Sequence, residues 1–424
     1  MKNILQKTLK ILAKLILKRY KPKVIAITGS VGKTGAKDAI NHILKDYFFV
    51  YTNYKNYNNE IGLPLTIIGR ISPGRSIFGW VKIIFFAFGL IIYKQKYPEI
   101  LILEMGIDRP GDMDYLCSIV KPDIAVVTAV SHSHFQYFSS LEHIKEEKQK
   151  LVKNTKNSGM VILNHDDPLV LSMKDVSQTQ VLSFGFSSDA NLKLIDLKYR
   201  LDKESDYFGG IHVKLDYQGA VLPIQLEKII NDSGLYAILA ASLVALKSNL
   251  NLVDIGEKLK SFSLAPGRMN YLKGINNSHI IDDSYNASPA SVCLAVKTLE
   301  KLNFSTKKYV VLGDILEIGA YKKSGFSLIA KAIKKAKIDY VLLFGDIIKE
   351  LKDDLEESSV AKDRIIIFSS QQSLTEFLKT KLNEDDVVLI KGSQGARMEK
   401  ITKAILKSSK DAKYLVRQDK QWQD

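Results

Sequence analysis

From position 23 onward, apolar residues alternate between short unbroken runs and longer stretches spaced every third or fourth residue. Short runs bounded by turn residues read as buried strands, and the periodic stretches read as helices that cover them. Runs at 24–28, 100–104, 124–128, 160–163 and 181–184 therefore predict an α/β protein with a mostly parallel sheet. Between 191 and 226 the pattern changes to alternation, as in "GIHVKLDYQGAVLPIQL", which predicts antiparallel hairpins ahead of a helix at 234–248. A second α/β series follows, with runs at 279–282, 309–312, 340–344, 365–368 and 387–390 separated by lysine-rich helices. It predicts a smaller, Rossmann-like unit. The boundary falls near Leu264, at "SLAPGRMN", and a cleft beside that hinge is the expected site.

Two apolar stretches stand outside this alternation. Residues 1–22 place Ile4, Leu5, Leu9, Leu12, Leu15 and Ile16 at helical spacing among lysines, the pattern of a basic amphipathic arm. Lysines interrupt its apolar run and no small-residue cleavage site follows, which disfavours a signal peptide. Residues 77–93 are apolar except for polar Lys82, and fall short of the about 20 residues of a membrane span. They read as a buried helix over the sheet, with a dip into a bilayer interface as the alternative.

The chain has 424 residues, enough for two or three domains, and 46% apolar composition allows sizeable cores. Cys117 and Cys293 lie far apart and exclude a disulfide framework, so a reduced, cytoplasmic setting is expected. The 61 Lys and Arg against 46 Asp and Glu give a net charge of +15. Such an excess suits nucleic acid, an anionic membrane or phosphorylated substrates. The lysines are dispersed and no nucleic-acid-binding signature surrounds them, so no nucleic acid partner is expected.

The strongest chemical signal is "VIAITGSVGKTG", a strand running into Gly29-Ser30-Val31-Gly32-Lys33-Thr34 and then a helix. Backbone amides freed by glycines can wrap phosphates, Lys33 adds positive charge, and the Thr34 hydroxyl suits Mg²⁺. The loop is one residue shorter than the common P-loop, yet strand, loop and helix keep their order, so ATP or GTP binding follows. Glu104 ends the strand of "LILEMG" and His134 follows that of "DIAVVTAV", so both fall on the edge where α/β proteins hold ligands. A carboxylate there suits Mg²⁺.

Beyond these, "NYNNEIGLPLTII" at 56–68, "SHSHFQYFSSLEHIKEEKQKL" at 131–151, "APGRM" at 265–269, "IDDSYNASP" at 281–289, "VLGDILEIG" at 311–319 and "IKGSQGARME" at 390–399 occur in a fixed order. As a set they resemble the Mur ligase family over roughly 22–424, most closely its branch that adds D-alanyl-D-alanine to UDP-N-acetylmuramoyl-tripeptide. The resemblance implies a central ATP-binding domain at 23–264 and a C-terminal ligase domain at 265–424. It further implies a carboxylate–amine ligase that uses ATP and Mg²⁺ and passes through an acyl phosphate, with a peptidoglycan precursor and an amino acid or dipeptide as substrates.

By that resemblance, Gly29, Ser30, Gly32, Lys33 and Thr34 hold the phosphates, and Thr34, Glu104 and His134 hold metal. Lys148 matches a lysine that the family carbamylates into an additional metal ligand. Arg268 corresponds to an interdomain arginine that approaches the phosphates, and Asp283 and Asn286 to nucleotide-facing positions. Asn56, Asn58 and Asn59 fall in an acceptor-side loop, or form an Asn-rich turn. Lys391 and Ser393 are placed near the incoming amine.

The sequence also departs from the family. Ser233 and Ala237 stand where a histidine and an asparagine are expected near the base, Phe326 and Gln394 replace a histidine and an arginine, and Gln136 replaces a glutamate. The family grips its UDP-sugar with an N-terminal domain of about a hundred residues. Only 23 residues precede Val24, so no docking domain for the UDP-sugar is expected here, unless another subunit or a membrane-held substrate compensates. Two other readings stay open: a nucleotide-binding scaffold with impaired catalysis at a membrane surface, and a sister ligase of the cyanophycin or poly-γ-glutamate type. The basic arm adds an expected peripheral contact with anionic membrane.

Overall fold

The computed structural model describes residues 2–53, 57–131, 137–199, 210–302, 306–316, 318–419 and 422. The chain builds two sheets in sequence. The first contains β1 (Lys23–Thr28), β2 (Val50–Thr52), β3 (Ile100–Glu104), β4 (Ile124–Val127), β5 (Met160–Asn164), β6 (Gln180–Gly185), β7 (Leu192–Tyr199), β8 (Ile211–Tyr217) and β9 (Ala220–Leu226). Their spatial order is β2-β3-β1-β4-β5-β6-β7-β8-β9. Pairing is parallel from β2 through β7, and the expected hairpins β7–β8 and β8–β9 extend the same sheet antiparallel.

The second sheet contains β10 (Asn270–Lys273), β11 (His279–Asp283), β12 (Lys308–Gly313), β13 (Tyr340–Phe344), β14 (Ile365–Phe368) and β15 (Val387–Lys391), in the order β10-β11-β15-β12-β13-β14. Only β10 runs antiparallel to its neighbour. The pattern reading missed β2 and β10. Both are short edge strands, four residues at most, with partly exposed side chains that leave no unbroken apolar run.

The central strands are apolar on both faces because helices cover both sides. α1 (Lys2–Tyr20), α2 (Lys33–Leu44), α3 (Gly62–Ile68), α4 (Ile77–Ile92), α5 (Asp112–Cys117) and α6 (Leu141–Lys153) follow one another along the first half. One face of its sheet packs against α2 and the helix Asp232–Leu246, the other against α1, α3, α5 and α6.

Two expectations about the apolar stretches change. The basic arm is α1, and its stripe of Leu9, Leu12, Ala13 and Ile16 is fully integrated into the core beside Val24 and Ala26. The stretch read as a buried helix is α4, which buries only Ile83, Ala87 and Leu90. The covering role falls to α1, which lies against both α3 and α4, so α4's outer side is left uncovered among the described residues.

Candidate functional site

Parallel strands all point their carboxyl ends one way, so the residues after β1, β3 and β4 gather on one edge. After β1, the chain turns through Gly29 and Gly32, both at positive φ (151° and 84°), before α2 begins at Lys33. Gly29 is required by proximity. A Cβ there would lie 2.0 Å from Thr128 Oγ1 at the end of β4.

The loop is tied to β4 from several directions. The Ser30 amide donates to Ala129 O at 2.7 Å, the Ser30 hydroxyl donates to Ser131 O at 2.9 Å, and Thr128 Oγ1 donates to Val31 O at 2.6 Å. Lys33 Nζ donates to Gly29 O at 2.6 Å and to Ser30 O at 3.4 Å. Burial, and then the neighbouring Arg268 cation, push the Lys33 ammonium below the ordinary lysine range although Glu104 opposes them. A cationic end held by the loop carbonyls of Gly29 and Ser30, beside amides freed by glycines, fits a polyphosphate.

Glu104 ends β3, buried, and collects the neighbouring polar groups. Thr34 Oγ1 donates to Glu104 Oε2 at 3.0 Å, and Asn58 Nδ2 donates to Glu104 Oε1 at 3.0 Å. The hydroxyl and carboxylate expected to share Mg²⁺ are thus already in contact. Beneath them is a residue the sequence reading missed. Asn53 accepts from the Glu104 amide and donates to Glu104 O and Tyr57 O, which fixes the strand end against the loop at 57–59. Its only sequence signal is one more asparagine in "TNYKNYNN". Asn59 has a local task, accepting from the Gly62 amide at 2.9 Å at the start of α3.

Lys148 projects from α6, whose first turn is capped by Ser140. α6 is docked on α5 through Glu147, which accepts from the Met113 amide at 2.8 Å. Lys148 is 2% exposed and makes no ion pair or hydrogen bond among the described residues. Burial first, and then the Lys33 cation, hold its amine well below the lysine range. Both effects favour the unprotonated amine, the form that carbamylation requires. His134 and Asn56 lie outside the described residues, as does Gln136.

The second half contributes Arg268. Its guanidinium lies over the Tyr285 ring, 4.2 Å from the centroid, and an NH2 group approaches Thr34 Oγ1 to 3.4 Å. Arg268 Nε is buried and without a hydrogen-bond partner among the described residues, a donor left for an anion. Lys33, Arg268 and Lys148 thus bring three cationic-type side chains to one edge with the Thr34–Glu104 pair.

Deeper in the second half, Lys391 at the end of β15 pairs with Asp283 at the end of β11, Nζ to Oδ2 at 2.6 Å, and donates to Asn286 O at 2.8 Å. Lys391 is buried rather than solvated. Burial raises the Asp283 carboxyl, against the pull of Lys391 and of Arg268, so Asp283 also faces the cleft cations. The Asn286 side chain is exposed. Ser393 serves the loop itself, accepting from the Leu316 amide at 2.9 Å.

The C-terminal segment, unmarked in the sequence reading, anchors this cluster. Arg417 donates to Glu399 Oε2 at 2.8 Å, Ser284 O at 3.2 Å and Tyr285 O at 2.6 Å. It thereby holds the residue on which Arg268 stacks. Among the departures, Phe326 is a buried core residue, and Ser233 sits beside the phosphate loop, its Oγ 4.0 Å from where a Gly32 Cβ would stand. Ala237 packs against α2 at Gly35, where a histidine or asparagine side chain would not be needed for packing.

A glycine-cradled anion site at one sheet edge, a hydroxyl–carboxylate pair and an arginine reaching across from a second α/β unit define a two-unit, nucleotide-dependent enzyme. The Mur ligase middle domain family matches residues 90–228, and the Mur ligase glutamate ligase domain family matches 267–394. The chain belongs to the Mur ligases and is an ATP-dependent ligase that uses Mg²⁺. The UDP-N-acetylmuramoyl-tripeptide–D-alanyl-D-alanine ligase of Bacillus subtilis is 29% identical over 402 residues, covering 94% of this chain and 79% of its own. The corresponding Escherichia coli ligase is 25% identical over 396 residues, covering 93% and 79%. The crystal structure of the MurF ligase from Thermotoga maritima in complex with ADP superposes with a TM-score of 0.75 at 28% identity, covering 94% of this chain and 83% of that one.

Proposed function

We propose that this chain joins D-alanyl-D-alanine, or a closely related amino acid or dipeptide, to the peptide carboxylate of a peptidoglycan precursor. The carrying observation is the convergence of Lys33, Arg268 and the Thr34–Glu104 pair on one edge, with Arg268 arriving from the second half. Ligation divides naturally between a domain at 23–264 that holds ATP and one at 265–424 that presents the amine.

ATP with Mg²⁺ supplies the phosphoryl group that turns a carboxylate into an activated acyl donor. Gly29, Ser30 and Gly32 shape the anion cradle, and Lys33 exchanges its bond to Gly29 O for phosphate oxygens. Thr34, Glu104 and His134 are the proposed metal ligands. The buried Lys148 amine, whose proton is held less tightly than an ordinary lysine's, is suited to attack CO2 and lose a proton, giving a carbamate that would join them. Arg268 neutralises charge developing on the transferred group, which such reactions require more than covalent help. Asn56 and Asn58 flank the acceptor, while Asp283, Asn286 and Lys391 organise the amine side.

No helix among the described residues is long and apolar enough to cross a membrane. We propose a cytoplasmic enzyme in peripheral contact with the anionic face of a membrane.

The test is phosphate release and product formation with ATP, Mg²⁺, UDP-muramoyl-tripeptide and D-alanyl-D-alanine. Turnover abolished by Lys33→Ala supports the reading. Turnover only with a polyamino-acid acceptor would move the enzyme to a sister activity, and nucleotide binding without turnover on any acceptor would leave a scaffold.

A further inference from the structure

α4 carries two opposite apolar stripes. Ile83, Ala87 and Leu90 face the core, while Ile77, Phe78, Val81, Phe85, Phe88 and Ile92 lie on the other side of the helix and are exposed. Phe78, Phe85 and Ile92, one every seven residues, are 68%, 71% and 63% exposed. A soluble surface helix normally turns polar residues outward. A contiguous apolar face of this kind marks an interaction surface.

The rim of this face has one sign. Residues 69–98 hold Arg70, Arg75, Lys82, Lys94 and Lys96 and no Asp or Glu, and residues 1–23, which form α1 beside it, likewise hold Lys and Arg but no acid. Lys14 and Lys18 of α1 are exposed. Lys82 Nζ sits over the Phe78 ring at 4.5 Å, so cation and aromatic face are presented together. At 16 residues, α4 is about 24 Å long, less than the ~30 Å hydrocarbon thickness, and suits lying in an interface rather than crossing it.

We infer that the outer face of α4 inserts into the headgroup region of an anionic lipid bilayer, with the cations of α1 and of the segments flanking α4 resting on the phosphates. The inference rests on the proposed peripheral contact and sharpens it, assigning insertion to α4 because α4 exposes six large apolar residues, three of them phenylalanines, whereas α1 commits Leu9, Leu12 and Ile16 to the core and exposes the smaller set Ile4, Ile11 and Leu15. Charge complementarity selects the occupant. Two copies of this chain meeting through α4 would oppose two rims that carry only cations, whereas a phosphatidylglycerol surface offers the matching sign and an apolar layer beneath it.

The test is co-sedimentation of the full chain with phosphatidylcholine vesicles containing or lacking phosphatidylglycerol, at low and high salt. The expected result is binding to the anionic vesicles that high salt weakens, reduced at least roughly tenfold in a Phe78→Ser/Phe85→Ser variant. Both rings lie outside the core, so an unchanged melting temperature and unchanged ligase turnover without vesicles should accompany that loss. Wild-type protein left in the supernatant with both vesicle types would overturn peripheral contact altogether. Wild-type binding that survives in the serine variant but vanishes in Lys14→Glu/Lys18→Glu would keep the contact and overturn insertion by α4. A wild-type dimer that the serine variant loses, with no vesicle binding, would assign the face to self-association and also overturn the inference.

Discussion

Arg268 approaches Thr34 Oγ1 to 3.4 Å while its guanidinium lies over the Tyr285 ring. One side chain thus connects the hinge of the second half to the phosphate loop of the first. Arg417 steadies the arrangement by donating to Tyr285 O from the C-terminal segment.

Removing that connection should act on turnover more than on folding. Arg268→Ala is expected to lower kcat roughly 10²- to 10³-fold, the usual effect of losing one donor aimed at developing charge. Arg268→Lys should recover little, because an ammonium cannot both stack on Tyr285 and fork toward an anion. Phosphate release at saturating ATP and acceptor measures this, and a change within twofold would contradict it.

Asn53 should matter both to stability and to metal use. Its amide satisfies the buried Glu104 backbone and ties it to Tyr57, so Asn53→Ala leaves a buried amide unpaired at a cost of about 1–3 kcal/mol. The urea midpoint should fall. The Mg²⁺ concentration for half-maximal turnover should rise, because Glu104 is no longer held against Thr34. Asn53→Asp should not rescue, since it lacks the N–H donors to both carbonyls.

Lys148 gives a pH dependence whose sign follows from burial. Its folded pKa lies below the value of 10.5 that it regains on unfolding, so the unfolded chain binds the extra proton and the buried amine costs stability at neutral pH. That cost shrinks as pH rises toward 10.5. In CO2-free buffer, Lys148→Met should therefore melt higher than wild type at pH 7, with the gap closing as the pH approaches 10. The same variant should abolish turnover, and bicarbonate should stimulate only the wild type.

Asp282 is fully buried at the end of β11, with Thr402 donating to Oδ1 at 3.1 Å and Ser284 adjoining its carboxylate. Burial raises its carboxyl to about 6 against 3.8 unfolded, so ionisation above that point penalises the fold. Stability from this group is greatest below about pH 4 and declines as pH passes through 6. Asp282→Asn is expected to raise the melting temperature at pH 7.5 and to lose that advantage near pH 4, as followed by thermal unfolding at both values.

The sequence by itself determined the succession of strands and helices, the two-part organisation and the phosphate loop. Each of these leaves a local pattern in the chain. Unbroken apolar runs mark strands buried on both faces, and glycines at fixed spacing mark a backbone that must pass close to Thr128. The ordered motifs also marked Lys33, Glu104 and Arg268 as members of one site.

Only the tertiary structure decided which neighbours those residues meet. Asn53 has its role only because β3 places the Glu104 backbone beside it, and Lys391 is paired because β11 brings Asp283 within 2.6 Å. Lys148 lies on a lysine-rich helix, and it is the packing of the first half that desolvates it. α1 and α4 show the same limit at the level of whole helices. Their apolar stripes are visible in the sequence, but hydrophobic burial has no direction of its own. Which stripe reaches the core and which stays exposed was settled by how the two helices share one side of the sheet.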